Sequence, residues 1–276
     1  MKKIKFPIIA LCMLTAFSYS CKNNHTENVE NPATEITADK MAQIKSLGFS
    51  TNGIIKTNEG YVVEGDILLT EDNLSEISAG TKLNIAETEQ YRTTNIVKGI
   101  PRVVTISLTN LPQKFSDALN TMISRYNSLG LRLTFQRAAS GTKGNIDISG
   151  FYREPEPNGD IVLGQGSFPT STGQPGNKIQ MNTHPKAYGS ATVSFITSVL
   201  QHEVGHCIGF RHTDYFNRDY SCAYNASTNN EGQGSGGAVL IPGTPSKEDA
   251  RSFMLACANG DTFNANDIIA LKYLYK

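Results

Sequence analysis

His202-Glu203-Val204-Gly205-His206-Cys207-Ile208-Gly209-Phe210-Arg211-His212 gathers three of the chain's five histidines into one short stretch. The spacing is H-E-x-x-H-x-x-G-x-x-H. On a helix, residues four apart differ by about 40° in azimuth and about 6 Å in height. His202 and His206 therefore project from one face and can chelate a single ion. Imidazole nitrogen suits zinc. Gly209 can take the left-handed conformation that ends a helix without a Cβ penalty. The chain then turns and returns His212 as a third ligand. Three neutral imidazoles leave a fourth coordination position open, which is the arrangement of a catalytic zinc rather than a structural one.

Glu203 follows the first ligand and sits beside the metal, not on it. Its expected task is general base: it takes a proton from a zinc-bound water and returns it to the leaving amine. A bare H-E-x-x-H arises by chance in about one percent of chains of this length, and the added Gly and His lower that by roughly three orders of magnitude. Three satisfied core histidines are therefore the weaker reading. Val204, Ile208 and Phe210 read as ordinary core packing. Ser252-Phe253-Met254 follows, its Met forty-two residues after His212. Alone, a Met after Phe is core. After the extended histidine motif it reads as the methionine turn that completes the metzincin signature, an apolar floor under the metal.

Outward from this stretch the chain alternates strands and helices. The active-site helix is expected from about Ser190 to Gly209. Before it, RVVTISL from Arg102 is a β-branched strand, and PQKFSDALNTMISRYNSLG places Phe115, Leu119, Met122, Ile123 and Tyr126 at helical spacing, with Gly130 as a stop. RLTFQRA, NIDISGFY, IVLGQGSF and KIQMNTH read as four more strands. After the motif lies a Gly/Ser/Asn-rich loop over about 215–247, then FNANDIIALKYLYK as a closing helix with Ile268, Leu271, Leu274 and Tyr275 on one side. Nearer the start, MAQIKSLGF reads as a short helix. Tyr61, Val63, Ile67 and Leu69 alternate around Gly65-Asp66 as a hairpin or a strand kinked at Gly65. Residues 71–95 are polar and lack periodicity. The fold class is α+β with a mixed sheet. Gly164-Gln165-Gly166 and the G-Q-G-S-G-G run at 232–237 lack the strand-then-helix context of a nucleotide site.

LQHEVGHCIGFRHTDY, IPGTP (Ile241 to Pro245), SFMLAC and FNANDIIALKYLY resemble the dual-action HEIGH metallopeptidases, a metzincin group, over most of residues 45–276, including LGF, EGYVVEGDI and QYRTTNIV. The resemblance implies an exported zinc endopeptidase acting on protein or peptide substrates. One Zn2+ would be held by His202, His206 and His212, with Glu203 as general base and Met254 in the turn. It implies a metzincin-like fold: a mixed, mostly parallel twisted sheet with an antiparallel edge strand, two backing helices and a C-terminal helix. The catalytic half also resembles a matrixin. There the 161–168 segment would be the edge strand above the cleft, and a substrate would add to it as an antiparallel strand. Ala256 stands where astacin-like metzincins carry a tyrosine ligand, so that ligand is not available. Tyr215 and Tyr220 are both candidates for an oxyanion contact.

Matrixins block zinc with a pro-segment cysteine, but no cysteine lies between 22 and 206. Val63-Glu64-Gly65-Asp66 resembles the F-x-G-D segment by which astacin pro-segments place an aspartate on the zinc, with Val for Phe. Asp66 is therefore a candidate latency switch, released by cleavage within roughly 71–100; the other reading is a kinked strand with a surface Asp. Cys222 and Cys257 flank the zinc floor and are the expected disulfide, with Cys207 a buried thiol. Asp214 is either a carboxylate orienting a ligand histidine or part of a surface salt bridge, and His184 reads as a loop residue.

Lys2, Lys3 and Lys5, the apolar run Pro7 to Phe17 and small residues before Cys21 read as a secretory signal. Cys21 stands where a bacterial lipoprotein carries its lipid, and simple cleavage and release is the alternative. The polar stretch after it reads as a tether. The expected organisation is 1–20 signal peptide, 21–40 tether, 41–95 pro-like segment and 96–276 zinc peptidase domain. Lys+Arg and Asp+Glu are both 25, so the net charge is zero. That argues against nucleic acid as a partner. It leaves a lipid at Cys21 as the only expected membrane contact, on an otherwise monomeric, exported protein. A zinc-bearing binding or adhesion module that no longer cleaves is the competing function.

Overall fold

The computed structural model describes residues 35–77, 90–157, 159–222, 238–245, 248–257 and 262–276. The expected signal, Cys21, tether residues up to 34 and the 232–237 glycine run lie outside these residues. Helix α1 (Ala38–Ser46) starts where Thr37 accepts a hydrogen bond from Lys40 N, so the last residues read as tether belong to a helix. Three short strands follow: β1 (Ile55–Lys56), β2 (Tyr61–Val63) and β3 (Ile67–Leu69). Helix α2 (Glu71–Ile77) and strand β4 (Tyr91–Arg92) lie in the stretch that lacks periodicity. Short elements held by tertiary contacts need no repeating pattern.

The rest of the chain contributes β5 (Arg102–Leu108), α3 (Gln113–Asn127), β6 (Leu133–Arg137), β7 (Ile146–Phe151), β8 (Gly164–Ser167) and β9 (Lys178–Asn182). The one-turn helix α4 (Pro185–Tyr188), the long α5 (Val193–Ile208), strand β10 (Val239–Leu240) and α6 (Ala265–Tyr275) complete it. The main sheet runs β1-β2-β3-β8-β9-β7-β5-β6. Strands β9, β7, β5 and β6 are parallel to one another, and β8 is antiparallel to β9. The architecture is the mixed, mostly parallel sheet expected. One feature differs. Strand β8 is not the sheet's edge: β3 pairs with it in parallel, Ile67 with Gly166 and Leu68 with Ser167. The β2–β3 hairpin thus covers the backbone that a substrate strand would use.

Helices α3 and α5 pack against each other over the sheet. Leu119 and Met122 from α3, Val199, Val204 and Ile208 from α5, and Ile106, Ile148 and Ile179 from the strands share one buried core. Phe115, Leu119, Met122 and Tyr126 are buried as their spacing predicts. Helix α5 is buried almost all round, because it is sandwiched between sheet and loops; such a helix shows no polar stripe. Helix α6 docks at its C-terminal end, where the Tyr275 hydroxyl donates to Ile208 O and accepts from Val97 N. A second, separate core (Ile44, Leu47, Phe49, Tyr61, Val63, Ile67, Leu69, Leu74) belongs to the N-terminal unit, and Phe168 joins it from the loop after β8.

Candidate metal centre

Helix α5 begins at Thr192, whose hydroxyl accepts from Phe195 N at 3.2 Å, and ends at Gly209 with φ +108°. A side chain at 209 would be strained in backbone and would meet Asn95 O at 3.0 Å, so glycine makes the bend. The bend brings His212 back: its ring centroid lies 5.3 Å from that of His202 and 4.9 Å from that of His206.

The hydrogen bonds behind the rings set their tautomers. His202 Nδ1 lies 2.8 Å from Phe253 O, and His206 Nδ1 lies 3.0 Å from Phe210 O. Carbonyls only accept, so both Nδ1 atoms carry the proton and both Nε2 atoms present lone pairs. Burial and the neighbouring imidazoles hold His206 well below the ordinary histidine range, which keeps it neutral. The two Nε2 atoms nevertheless face each other at 3.1 Å. Asp66 Oδ2 points at the same place, 3.1 Å from His212 Nε2 and 3.4 Å from His202 Nε2. Acceptors converging this closely repel one another unless a cation lies among them. The four ligand atoms lie within 4.8 Å of one another, and three nitrogens with one oxygen suit zinc. The residues present therefore fit a zinc ion. Asp66 is not a surface aspartate. Burial works to raise its carboxyl, but His212, His202 and His206 outweigh that and hold it well below the usual range.

Glu203 is buried, and its Oε2 has no hydrogen-bond partner. Burial, reinforced by the Asp66 charge and opposed by His212, pushes its carboxyl well above the ordinary range. The helix approaches β8 at two glycines: a Cβ on Gly164 would lie 2.7 Å from Glu203 Oε1, and one on Gly166 would lie 2.9 Å from Glu203 O. The Gly164-Gln165-Gly166 run is therefore a packing site for Glu203. Gly164→Ala is expected to displace this carboxylate and destabilise the fold by about 1–3 kcal/mol through overpacking. Urea unfolding together with turnover would measure it, and unchanged values in both would contradict this contact.

Met254 is fully buried; its Sδ would touch a Cβ on Gly205 at 2.4 Å, so the helix glycine makes room for the turn. Met254 O accepts from Thr213 N at 2.9 Å. The turn is anchored by a residue that spacing does not reveal. Asp267, inside α6, accepts from Ser252 Oγ at 3.0 Å, Phe253 N at 3.2 Å, Asn264 N at 2.9 Å and Gln90 Nε2 at 2.8 Å. Burial raises its carboxyl to about 6, against these donors. The S-F-M stretch and the N-x-x-D capping pattern of α6 were both readable; their joining across the fold was not.

Cys222 and Cys257 are bridged, with Cα atoms 5.0 Å apart, and Cys207 is a free buried thiol. Replacing both bridged cysteines by serine is expected to cost about 2–4 kcal/mol of stability, read as a lowered urea midpoint. No shift would mean that the bridge constrains nothing. Asp214 is buried and accepts from Ala256 N at 3.0 Å and from Ser221 Oγ at 2.5 Å, tying the two loops that the bridge also joins rather than forming a surface ion pair. His184 caps α4, its Nδ1 accepting from Lys186 N at 3.1 Å. Tyr215 is buried edge-on against Tyr91 at 4.5 Å, and Tyr220 is exposed.

Asp66, Glu203, His202 and Arg218 line one cavity of about 670 Å³ with Leu163 and Val199. The profile of the family described as dual-action HEIGH metallo-peptidase matches residues 61–275. Among solved structures, one of myroilysin aligns with 15% identity and TM-score 0.44, covering 67% of this chain and 98% of that one. High choriolytic enzyme 1, a hatching enzyme zinc-protease from Oryzias latipes (Medaka fish), aligns with 14% identity and TM-score 0.36, covering 62% of this chain and 88% of that one. No curated protein matches the chain.

Proposed function

The chain belongs to the dual-action HEIGH metallo-peptidases, and we propose that it is an exported zinc endopeptidase made as a latent precursor. The observation that carries the reading is a buried carboxylate without a hydrogen-bond partner, Glu203, lining one cavity with His202 and Asp66 of the metal-ligand cluster. When bound by His202, His206 and His212, zinc supplies a Lewis acid that polarises a carbonyl and makes water acidic near neutral pH. Glu203 takes the proton of the attacking water and delivers it to the leaving nitrogen. The hydrogen bonds from His202 and His206 to Phe253 O and Phe210 O hold the rings so that Nε2 faces the site. The backbone of β8 aligns an extended substrate by antiparallel pairing.

Latency is proposed on the same cluster. Asp66 takes the position that water needs, while β3 occupies the substrate's place on β8 in the parallel direction, opposite to a substrate. A segment laid backwards presents its peptide bonds in the wrong sense for cleavage. Processing between the two units then frees the cleft. The export reading rests on the residues before 35, with lipidation at Cys21 or release as its two outcomes.

A zinc-bearing binding module is the competing reading. Burying an unpaired carboxylate costs several kcal/mol, and a binder has no use for it. Casein digestion by processed protein separates the two: cleavage that chelator abolishes and zinc restores supports the peptidase. Zinc-loaded, processed protein that leaves casein and a mixed peptide library intact would overturn it.

A further inference from the structure

The N-terminal unit and the rest of the chain bury separate cores, and Phe168 enters the smaller core from the larger part. Its ring stacks on Phe49 with centroids 6.1 Å apart, and its carbonyl accepts from Asn73 Nδ2 at 3.3 Å. On the sheet side, Gly166 N donates to Asp66 O at 2.9 Å, and β3 pairs with β8. Lys178 Nζ, on β9, lies 3.2 Å from Glu59 Oε1 in the turn between β1 and β2. Beside the histidine cluster, Arg218 Nη1 donates to Glu64 O at 2.7 Å, and Nη2 of the buried Arg211 lies 3.5 Å from Glu64 Oε2. None of these contacts involves the connecting residues 78–89.

The two ends of that connection are fixed on opposite units. Before it, Leu74 sits in the smaller core and its carbonyl accepts from Gln43 Nε2 at 3.1 Å. After it, Gln90 Nε2 donates to Asp267 at 2.8 Å, Tyr91 O accepts from Arg211 N at 2.9 Å and Thr93 N donates to Gly209 O at 2.7 Å. A cut between Ile77 and Gln90 therefore removes none of the contacts that join the units. It changes how they depend on concentration. A linked segment meets its site at an effective concentration of about a millimolar, whereas a cut one meets it at its own concentration. The cut costs that advantage, while the sheet pairing, the Phe168 contacts and the two arginine contacts remain.

We propose that the face made by β8, Phe168, Lys178 and the two arginines holds residues 35–77 as a separate chain after the connection is cut. Activation then takes two events, the cut and the loss of the unit. The proposal deepens the latency reading and rests on it: after the cut alone, β3 still covers β8 and Asp66 still points into the histidine cluster. The cleft opens on dilution, or on a second cleavage inside the unit itself.

The test uses the full, zinc-loaded chain with a recognition sequence for a site-specific protease inserted between Ile77 and Gln90. After cutting at about 10 µM, the two pieces should co-elute on size exclusion. On dilution to about 10 nM, specific activity against a fluorogenic peptide should rise roughly 10-fold, as a Kd of about 0.1 µM requires. The specific activity of the uncut chain should not depend on concentration. Glu59→Lys sets like charges against each other at an exposed turn and should raise that Kd roughly 3- to 10-fold. Pieces that part at the higher concentration would overturn the proposal. So would co-eluting pieces that already exceed the uncut chain and gain nothing on dilution. A Kd unmoved by Glu59→Lys would overturn the face as assigned. Co-elution needs no turnover, so a chain that cleaves nothing ends the peptidase reading while elution still decides the docking: pieces together support it, and pieces apart overturn it.

Discussion

Glu203→Gln is expected to lower kcat by about 10²–10⁴-fold while leaving zinc content unchanged. Gln matches the shape of Glu and fits the space that Gly164 leaves beside the carboxylate. It cannot accept a proton. The loss should fall on kcat, because the residue acts on the proton in flight rather than on the bound peptide. Stability should not fall: the substitution removes a buried ionisable group whose Oε2 has no partner. Turnover of a fluorogenic peptide, elemental analysis and urea unfolding on the same preparation decide the matter. A kcat within a few-fold of the parent at full zinc loading would remove Glu203 from the mechanism. A drop accompanied by loss of zinc would show a disturbed cluster instead.

The second large effect runs the other way. Asp66→Ala in the full-length, unprocessed chain is expected to raise peptidase activity by roughly 10- to 100-fold, the equivalent of losing one charge-assisted contact. Asp66 Oδ2 lies 3.1 Å from His212 Nε2 and is half of what holds the segment in place. The other half remains in the variant, since β3 stays paired with β8 and the second core is untouched. Activity should therefore rise to a fraction of that of processed protein, not to its full value. A precursor already as active as processed enzyme would sink the latency reading, and so would an Asp66→Ala chain as silent as its parent.

These expectations differ in how far they could be reached from the residues in order. The ligand helix was legible because its information is local: residues four apart share a helix face, and Gly209 marks the end and the turn. Strands such as Arg102–Leu108 and helix Gln113–Asn127 were legible for the same reason, by alternation and by helical spacing. Asp66 was visible only as one residue of a short F-x-G-D-like stretch, with a kinked strand carrying a surface aspartate as the slightly favoured reading.

Chemistry was determined by the sequence itself, since eleven consecutive residues specify three imidazoles, a carboxylate and the bend that gathers them. Tertiary structure alone decided which distant groups meet that chemistry. Asp66 arrives from 146 residues away, Glu64 finds Arg211, Asp267 collects donors from three segments, and β3 turns the expected edge strand into an interior one. A helix or a strand repeats its geometry every few residues and so leaves a pattern in the chain. A meeting between segments is set by the packing of whole layers, and packing leaves no periodic mark on either partner.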